Sequence, residues 1–192
     1  MSKKMVPVET SARHVHVSRE DLDILYGEGH ELIPIKNLSQ PGQYACMERL
    51  RVEGPKGKLP AVSILGPVRG KTQVEVSLTD ARNIGARAPV RESGDIEGSC
   101  GCTLIGPKGS VTLEEGVIAA KRHVHITPKQ AEEWNLQDRQ VVCLKYENPE
   151  RTIIYDDVIV RVNISFALAL HIDTDEANAG AVQPGAFAEI LE

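Results

Sequence analysis

Arg13-His14-Val15-His16 returns downstream, almost unchanged in its setting, as Arg122-His123-Val124-His125. The chain has six histidines, and these two stretches hold four of them. Side chains alternate between the faces of a β-strand, so His-Val-His puts two imidazoles on one face and a valine on the other. Two imidazoles placed that way can share one metal ion, and two copies offer four nitrogens. The flanking residues repeat as well. Val17-Ser18-Arg19-Glu20-Asp21 follows the first copy and Ile126-Thr127-Pro128-Lys129-Gln130 the second. Ser18 with Asp21, and Thr127 with Gln130, have capping-box spacing, and Pro128 sits where a helix start favours proline. Each copy reads as a strand running directly into a short helix, the helices ending near Gly27 and Asn135. The period is too long for a solenoid and suits a duplicated small domain.

At 192 residues the chain can bury a core as one large domain or two small ones. A net charge of −5 argues against nucleic-acid binding, which favours an excess of Lys and Arg. It leaves room for a small anion held by a local basic cluster. No apolar run approaches the roughly 20 residues of a membrane span. Met1-Ser2-Lys3-Lys4-Met5-Val6-Pro7 carries no hydrophobic signal region. Four cysteines without a C-x-x-C pair are too few for a disulfide scaffold, so a reducing cytoplasm is expected.

The remainder reads as short strands and turns. Gly54-Pro55-Lys56-Gly57 and Gly106-Pro107-Lys108-Gly109 are near-identical turn signals between apolar runs, and each predicts a hairpin. Strands are expected at residues 50–52, 61–65, 73–78, 102–105, 140–146, 158–162 and 166–172. That density of short strands with Gly/Pro punctuation favours barrels or sandwiches. Residues 80–101, rich in Arg, Gly and Pro, read as a long irregular excursion, a kind of segment that is often functional.

Two histidines rarely satisfy a metal, which directs attention to further donors. Gln73-Val74-Glu75-Val76-Ser77-Leu78 alternates, placing Gln73, Glu75 and Ser77 on one face. Glu75 is a candidate third ligand, although a solvated surface glutamate has the same spacing. His171 ends an apolar run and precedes Ile172-Asp173-Thr174-Asp175, so it is readable as a ligand or as a core histidine, with Asp173 and Asp175 available to orient imidazoles. His30 reads as a loop residue. Gly66-Pro67-Val68-Arg69-Gly70-Lys71-Thr72 is one residue short of a P-loop and is followed by a β pattern, so it is no Walker motif. Its Arg69 lies on a stiff turn six residues before Glu75, where a guanidinium can grip phosphate or simply face solvent. Spacing alone yields a two-part, β-rich protein binding one or two metal ions.

Ala12-Arg13-His14-Val15-His16, Leu65-Gly66-Pro67-Val68-Arg69 with Thr72-Gln73-Val74-Glu75-Val76-Ser77, Lys121-Arg122-His123-Val124-His125 and His171-Ile172-Asp173-Thr174-Asp175-Glu176-Ala177-Asn178, in this order, resemble the PduL-type phosphotransacylases, also called phosphate propanoyltransferases. The resemblance runs from about Pro7 to Val182. It implies a mainly β fold of two β-barrel domains related by a pseudo-twofold, each capped by short α-helices, with the active site at their interface. One domain would span 13–120, and the other 121–192 joined by the amino-terminal strand 1–12. It also implies two zinc ions, one on His14, His16 and Glu75 and one on His123, His125 and His171, with Arg69 as the active-site arginine.

The implied reaction is acyl-CoA plus phosphate giving acyl phosphate plus CoA, and its reverse. Three protein ligands leave a zinc one open position. The first zinc would take the CoA sulfur, since metal coordination deprotonates a thiol whose free pKa is about 8.5. The second would take phosphate, with Arg69 clamping it. Direct transfer is expected because no acyl-accepting nucleophile stands out, Cys100 and Cys102 being the residues that could overturn this. Lys121, Arg122, Arg49 and the arginines of residues 82–91 are candidate partners for the CoA phosphates. Microcompartment-packaged members carry an amphipathic amino-terminal extension; here about a dozen residues precede His14, so a free cytoplasmic enzyme is expected. A homo-oligomer is left open, and neither nucleic acid nor membrane is an expected partner. The competing reading is a cupin-like single-metal oxygenase or isomerase, for which H-x-H, a glutamate and a distal histidine would also serve.

Overall fold

A computed structural model describes residues 3–191. The elements run β1 (Met5–Ser11), β2 (His14–His16), α1 (Arg19–Tyr26), β3 (Pro34–Asn37), β4 (Tyr44–Glu53) and β5 (Lys58–Gly66). Next come β6 (Gln73–Glu75), α2 (Leu78–Ile84), β7 (Val90–Arg91), β8 (Cys100–Ile105) and β9 (Ser110–Ala120). The chain continues with β10 (His123–Ile126), α3 (Pro128–Glu133), β11 (Val141–Tyr146), β12 (Ile153–Val162), β13 (Ala169–Asp173), α4 (Thr174–Ala179) and β14 (Phe187–Leu191). No described helix is long and apolar enough to cross a membrane.

These elements divide into two compact units. One comprises Met1–Ser11, Ser39–Pro41 and Lys121–Glu192; the other comprises Ala12–Leu38 and Gly42–Ala120. The first is a closed barrel in the order β1-β13-β10-β12-β11-β14. The second orders its strands β4-β5-β2-β6-β9, and β8 closes the ring by pairing with both β9 and β4. β3 and β7 extend its edges on β4 and β9.

Both barrels are built from the same half, used twice. In the second, β2 lies parallel to β5 and β6 parallel to β9, while β2 and β6 meet antiparallel. In the first, β10 lies parallel to β12 and β13 parallel to β1, while β10 and β13 meet antiparallel. Each of β2, β6, β10 and β13 passes into a helix through one extended N-cap residue, Ser18, Ser77, Thr127 or Asp173, whose side chain accepts a bond from the backbone N–H three residues on. Helices of six to eight residues are marginal alone. Here a cap at the start and Leu22, Leu25, Ile84 or Ala131 buried in the core hold them.

The valine of each His-Val-His is the pivot. Val15 and Val124 are fully buried, each in the core of its own barrel: Val15 with Leu50, Ile64, Val74 and Leu104, Val124 with Leu144, Val160 and Leu170. Burying one such side chain stabilises by about 1.5–3 kcal/mol. That fixes the strand's face and turns its histidines outward.

Three expectations are corrected. The strand foreseen over residues 73–78 stops at Glu75, because Ser77 Oγ accepts from the Asp80 N–H at 3.2 Å and starts a helix. The excursion over residues 80–101 therefore opens in α2 and includes β7 instead of being wholly irregular. The apolar stretch 166–172 is strand only from Ala169, and it leads into α4 through a complete Asp173–Glu176 capping box. Asp173 thus caps a helix.

Both Gly-Pro-Lys-Gly turns join hairpin strands, β4 to β5 and β8 to β9. Their likeness has a cause. Lys56 N–H donates to the Ile84 carbonyl at 2.9 Å and Lys108 N–H to the Leu25 carbonyl at 3.0 Å, so each turn serves the carbonyl end of a helix. A Cβ on Gly54 would lie 2.4 Å from Ile84 O, and one on Gly106 2.4 Å from Leu25 O. Gly106→Ala should therefore lower stability by about 1–3 kcal/mol through backbone displacement, read as a lower urea midpoint at unchanged slope.

Candidate functional site

β2 and β6 place His14 opposite Glu75, Val15 opposite Val74 and His16 opposite Gln73. The two valines point into the barrel, so His14, His16, Glu75 and Gln73 form the corners of one square on its outer face. His14, His16 and Glu75 are buried and bring donor atoms within 4.8 Å of one another. His14 Nε2 is 3.5 Å from Glu75 Oε2, and His16 Nε2 is 3.9 Å from Oε1. On the far side of each ring, Nδ1 of His14 donates to the Ala12 carbonyl at 2.9 Å and Nδ1 of His16 to the Leu65 carbonyl at 3.1 Å. A carbonyl only accepts, so the proton is assigned to Nδ1 and the Nε2 lone pair faces the cluster.

Glu75 is held from behind. Its Oε1 accepts from Gln73 Nε2 at 2.5 Å and from Ser93 Oγ at 2.6 Å. Arg69 donates to Ser93 Oγ at 3.3 Å, which sets its guanidinium beside the same group. Burial opposes ionisation of Glu75, but His14, His16 and Ser93 outweigh it and hold the carboxyl well below the usual range. Burial likewise opposes charge on His14, yet Glu75 raises its pKa. His16 is pushed down to about 3 by burial, then by His14 and Arg69. The pocket therefore carries a fixed carboxylate that favours positive charge on His14 while His16 stays neutral, and a carboxylate beside a neutral imidazole suits a cation.

The second cluster repeats the plan. His123 stands opposite His171 and His125 opposite Ala169 across β10 and β13, and the three histidine donors again lie within 4.8 Å. His123 Nδ1 donates to the Lys121 carbonyl at 2.8 Å. Both ring nitrogens of His125 are buried without a hydrogen-bond partner among the described residues. Its ring stacks on Phe166 at 3.9 Å, and Arg161, its neighbour on β12, reaches over the Phe166 ring. Burial, then His123, His171 and Arg161, push His125 down to about 2, so the ring is neutral at physiological pH. A buried, neutral, unpartnered imidazole beside two others is what a metal ligand needs and what a core histidine avoids. Gln40, in the Ser39–Pro41 segment of the same unit, bonds the Ala167 backbone at both ends of its amide and lies 3.4 Å from His171 Nε2.

Zinc fits these donors. Two ligands at about 2.0–2.1 Å from a tetrahedral zinc lie roughly 3.4 Å apart, close to the His14–Glu75 separation of 3.5 Å and about 0.5 Å inside the His16–Glu75 separation of 3.9 Å. The His₂Glu and His₃ sets are both those of open, three-ligand zinc sites.

The structure thus brings together His14, His16, Glu75 and Arg69 in one unit, and His123, His125 and His171 in the other. The expected CoA-phosphate cations fall in both units, Arg49 in one and Lys121 and Arg122 in the other. Arg122 pairs with Glu176 at 3.2 Å and lies over the Tyr155 ring, so it helps hold the α4 end of its barrel. Lys121 contributes its carbonyl to His123. Arg49 bonds Ser63 on the outer face of β4 and β5. His30 is more than a loop residue, pairing with buried Glu48 at 2.8 Å and stacking on Tyr26. Sequence reading missed Ser93, Gln40, Arg161 and Phe166. It placed Gln73 on Glu75's face without giving it a role.

A family profile described as phosphate propanoyltransferase matches residues 7–183. A phosphate propanoyltransferase of Thermotoga maritima is 52% identical over 96% of this chain and 88% of its own length. One from Clostridioides difficile is 49% identical over 97% and 89%, and one from Listeria monocytogenes 50% over 97% and 87%. The chain belongs to the phosphate propanoyltransferase family. It is accordingly an acyltransferase, and the cupin-like alternative falls away.

For a phosphate propanoyltransferase the cysteines matter, because a reactive thiol could accept an acyl group. Burial, with Cys100 adding to it, pushes the Cys102 thiol up to about 12, and burial also raises Cys100. Thiolate is the nucleophile, and Cys102 holds almost none at neutral pH. Folded protein at pH 8 should show Cys102 reacting with a disulfide reagent more than about 100-fold slower than after urea unfolding, measured by thiol-release kinetics against a Cys102→Ser control. Equal rates would mean the thiol is neither buried nor raised.

Proposed function

We propose that this acyltransferase interconverts short-chain acyl-CoA (acetyl or propanoyl) plus phosphate with acyl phosphate plus CoA, by direct transfer at two zinc ions. His14, His16 and Glu75 hold one ion; His123, His125 and His171 hold the other. The single observation that carries the reading is the pair of three-donor clusters, one of them containing a buried imidazole with no other partner. The family match supports the reaction class.

Three protein ligands leave an exchangeable position at each ion, where bound zinc would lower a thiol pKa and offset phosphate charge. The rest falls to the chain. Backbone carbonyls at Ala12, Leu65 and Lys121 fix three rings with their lone pairs inward. Arg69, braced on Ser93, offers a fork to phosphate oxygens. The carbon–sulfur bond of the thioester breaks as a phosphate oxygen–carbon bond forms, and the sulfur leaves as CoA; no protein nucleophile takes part. The raised Cys100 and Cys102 thiols are in keeping with that.

For the CoA phosphates, Arg49 is the candidate that shares a row with the first cluster. Register runs from Glu75 to His14, from His14 to Ser63 and from Ser63 to Arg49, so these side chains line one row across the barrel. Two strand spacings separate β2 from β4, about 10 Å along a path a pantetheine arm can follow.

Thiol release from acetyl-CoA and propanoyl-CoA should depend on phosphate, stop on chelation and return with zinc. A metal-replete sample releasing thiol from neither substrate would sink the proposal. Arg69→Ala should cost about 10²–10³ in turnover while leaving metal content intact, as for loss of a charge-stabilising donor. Metal analysis should give two ions per chain, falling to one in His14→Ala/His16→Ala and to one in His123→Ala/His125→Ala. Retention of both ions in either double variant would separate those histidines from the metal.

A further inference from the structure

The square on β2 and β6 has a fourth corner. Gln73 occupies it, directly opposite His16 and on the face of Glu75, and it is only 3% exposed. In the other unit the corresponding corner, opposite His125, is Ala169, which has no donor atom to give. Gln73 does have donor atoms, and all of them are committed. Its Nε2 donates to Glu75 Oε1 at 2.5 Å and to Ser93 Oγ at 3.0 Å, and its Oε1 accepts the Gly94 N–H at 2.8 Å. The amide cannot turn over, because that would set its oxygen against the carboxylate and its NH₂ against the Gly94 N–H.

A carboxylate oxygen has two lone pairs. Glu75 Oε1 gives one to Gln73 and the other to Ser93. Oε1 still lies 3.9 Å from His16 Nε2, but Oε2, 3.5 Å from His14 Nε2, is the oxygen whose lone pairs Gln73 and Ser93 leave uncommitted. A carboxylate free to turn can chelate an ion through both oxygens and occupy the coordination position that substrate needs.

We infer that Gln73, together with Ser93, is a positioning residue that restricts Glu75 to one-oxygen coordination and thereby keeps the fourth position of this site open to the substrate sulfur. The inference rests on the metal-site reading proposed above. The two barrels reach the same open geometry by different means: Ala169 supplies nothing to the fourth corner, whereas Gln73 is tied back and ties Glu75 back with it. Groups that hydrogen-bond a metal ligand typically change affinity or activity by about 10–100-fold when removed.

The test uses the full chain carrying His123→Ala/His125→Ala, so that only the β2/β6 cluster is loaded, with Co²⁺ as the probe. Four-coordinate Co²⁺ absorbs strongly in the visible, higher coordination weakly, and a bound thiolate adds a charge-transfer band in the near ultraviolet. The parent should show the strong spectrum and gain that band on addition of free CoA. Gln73→Met, nearly isosteric and without hydrogen bonds to give, should keep the ion, show the weaker spectrum of higher coordination, and need about 10–100-fold more CoA for the band. In the otherwise native chain the same change should raise KM for acyl-CoA by a similar factor. Ser93→Ala removes only one of the two bonds and should shift both readouts in the same direction, so it carries the test if Gln73→Met does not fold. Parent-like spectra and CoA titration in a folded variant overturn the inference alone. A parent that takes up no Co²⁺ at this cluster overturns the metal-site reading itself.

Discussion

Two-residue alternation at two short strands is the constraint on which the rest depends. Val15 and Val124 are drawn into their barrels by the same burial that stabilises any core, and their neighbours have no choice of face. Four imidazoles are thereby placed outward by a force that has nothing to do with metals. A one-residue slip of β2 would turn both histidines into the core and leave a valine in the cluster in their place. Antiparallel pairing then supplies the third donor, since the residue directly opposite the first histidine of each motif is Glu75 in one barrel and His171 in the other.

The same local device recurs four times. Two residues after His16, Glu75, His125 and His171 stands a helix N-cap: Ser18, Ser77, Thr127 and Asp173. Each cap is still extended, so the strand reaches its last cluster residue and turns into a helix with no loop between. A side chain so close to a cap inherits its rigidity, because a shift of the strand end would cost both the cap bond and the packing of the helix. The nearly identical Gly-Pro-Lys-Gly turns secure the other ends of α1 and α2, which ties the hairpins of that barrel to the helices following its ligand strands.

The sequence discloses what is periodic or repeated, and withholds what depends on distant pairing. The histidine strands, the caps at Ser18 and Thr127, both hairpins and a barrel-or-sandwich class follow from spacing; the choice of barrels came with the family resemblance. The cap at Ser77 was hidden because Val74, Val76 and Leu78 continue a two-residue rhythm into α2, and only the Ser77–Asp80 bond interrupts it. Glu75 and Gln73 were visible as one polar face, but their pairing against β2 is a matter of register, which no local pattern contains. Ser93 and Gln40 carry no sequence signal at all. They reach Glu75 and the Ala167 backbone from loops, each through one side chain. His125 shows the opposite case, a motif residue whose setting adds to its reading: stacked on Phe166 and buried, its ring nitrogens have no hydrogen-bond partner among the described residues.

Inequality between the two clusters is the last step. Each has an arginine whose charge acts on its histidines, Arg69 on His14 and His16 and Arg161 on His125, so the arginines cancel in a comparison. What remains is Glu75 against His171, one negative charge against none. With a divalent ion in each, the Glu75 site carries one unit of positive charge fewer. The two proposed occupants differ by the same amount, since a thiolate bears one negative charge and hydrogen phosphate two. Close charges at low effective dielectric interact strongly enough for one unit to sort such ligands. On the proposed reading, a single substitution between otherwise equivalent strand positions is what assigns sulfur to one barrel and phosphate to the other.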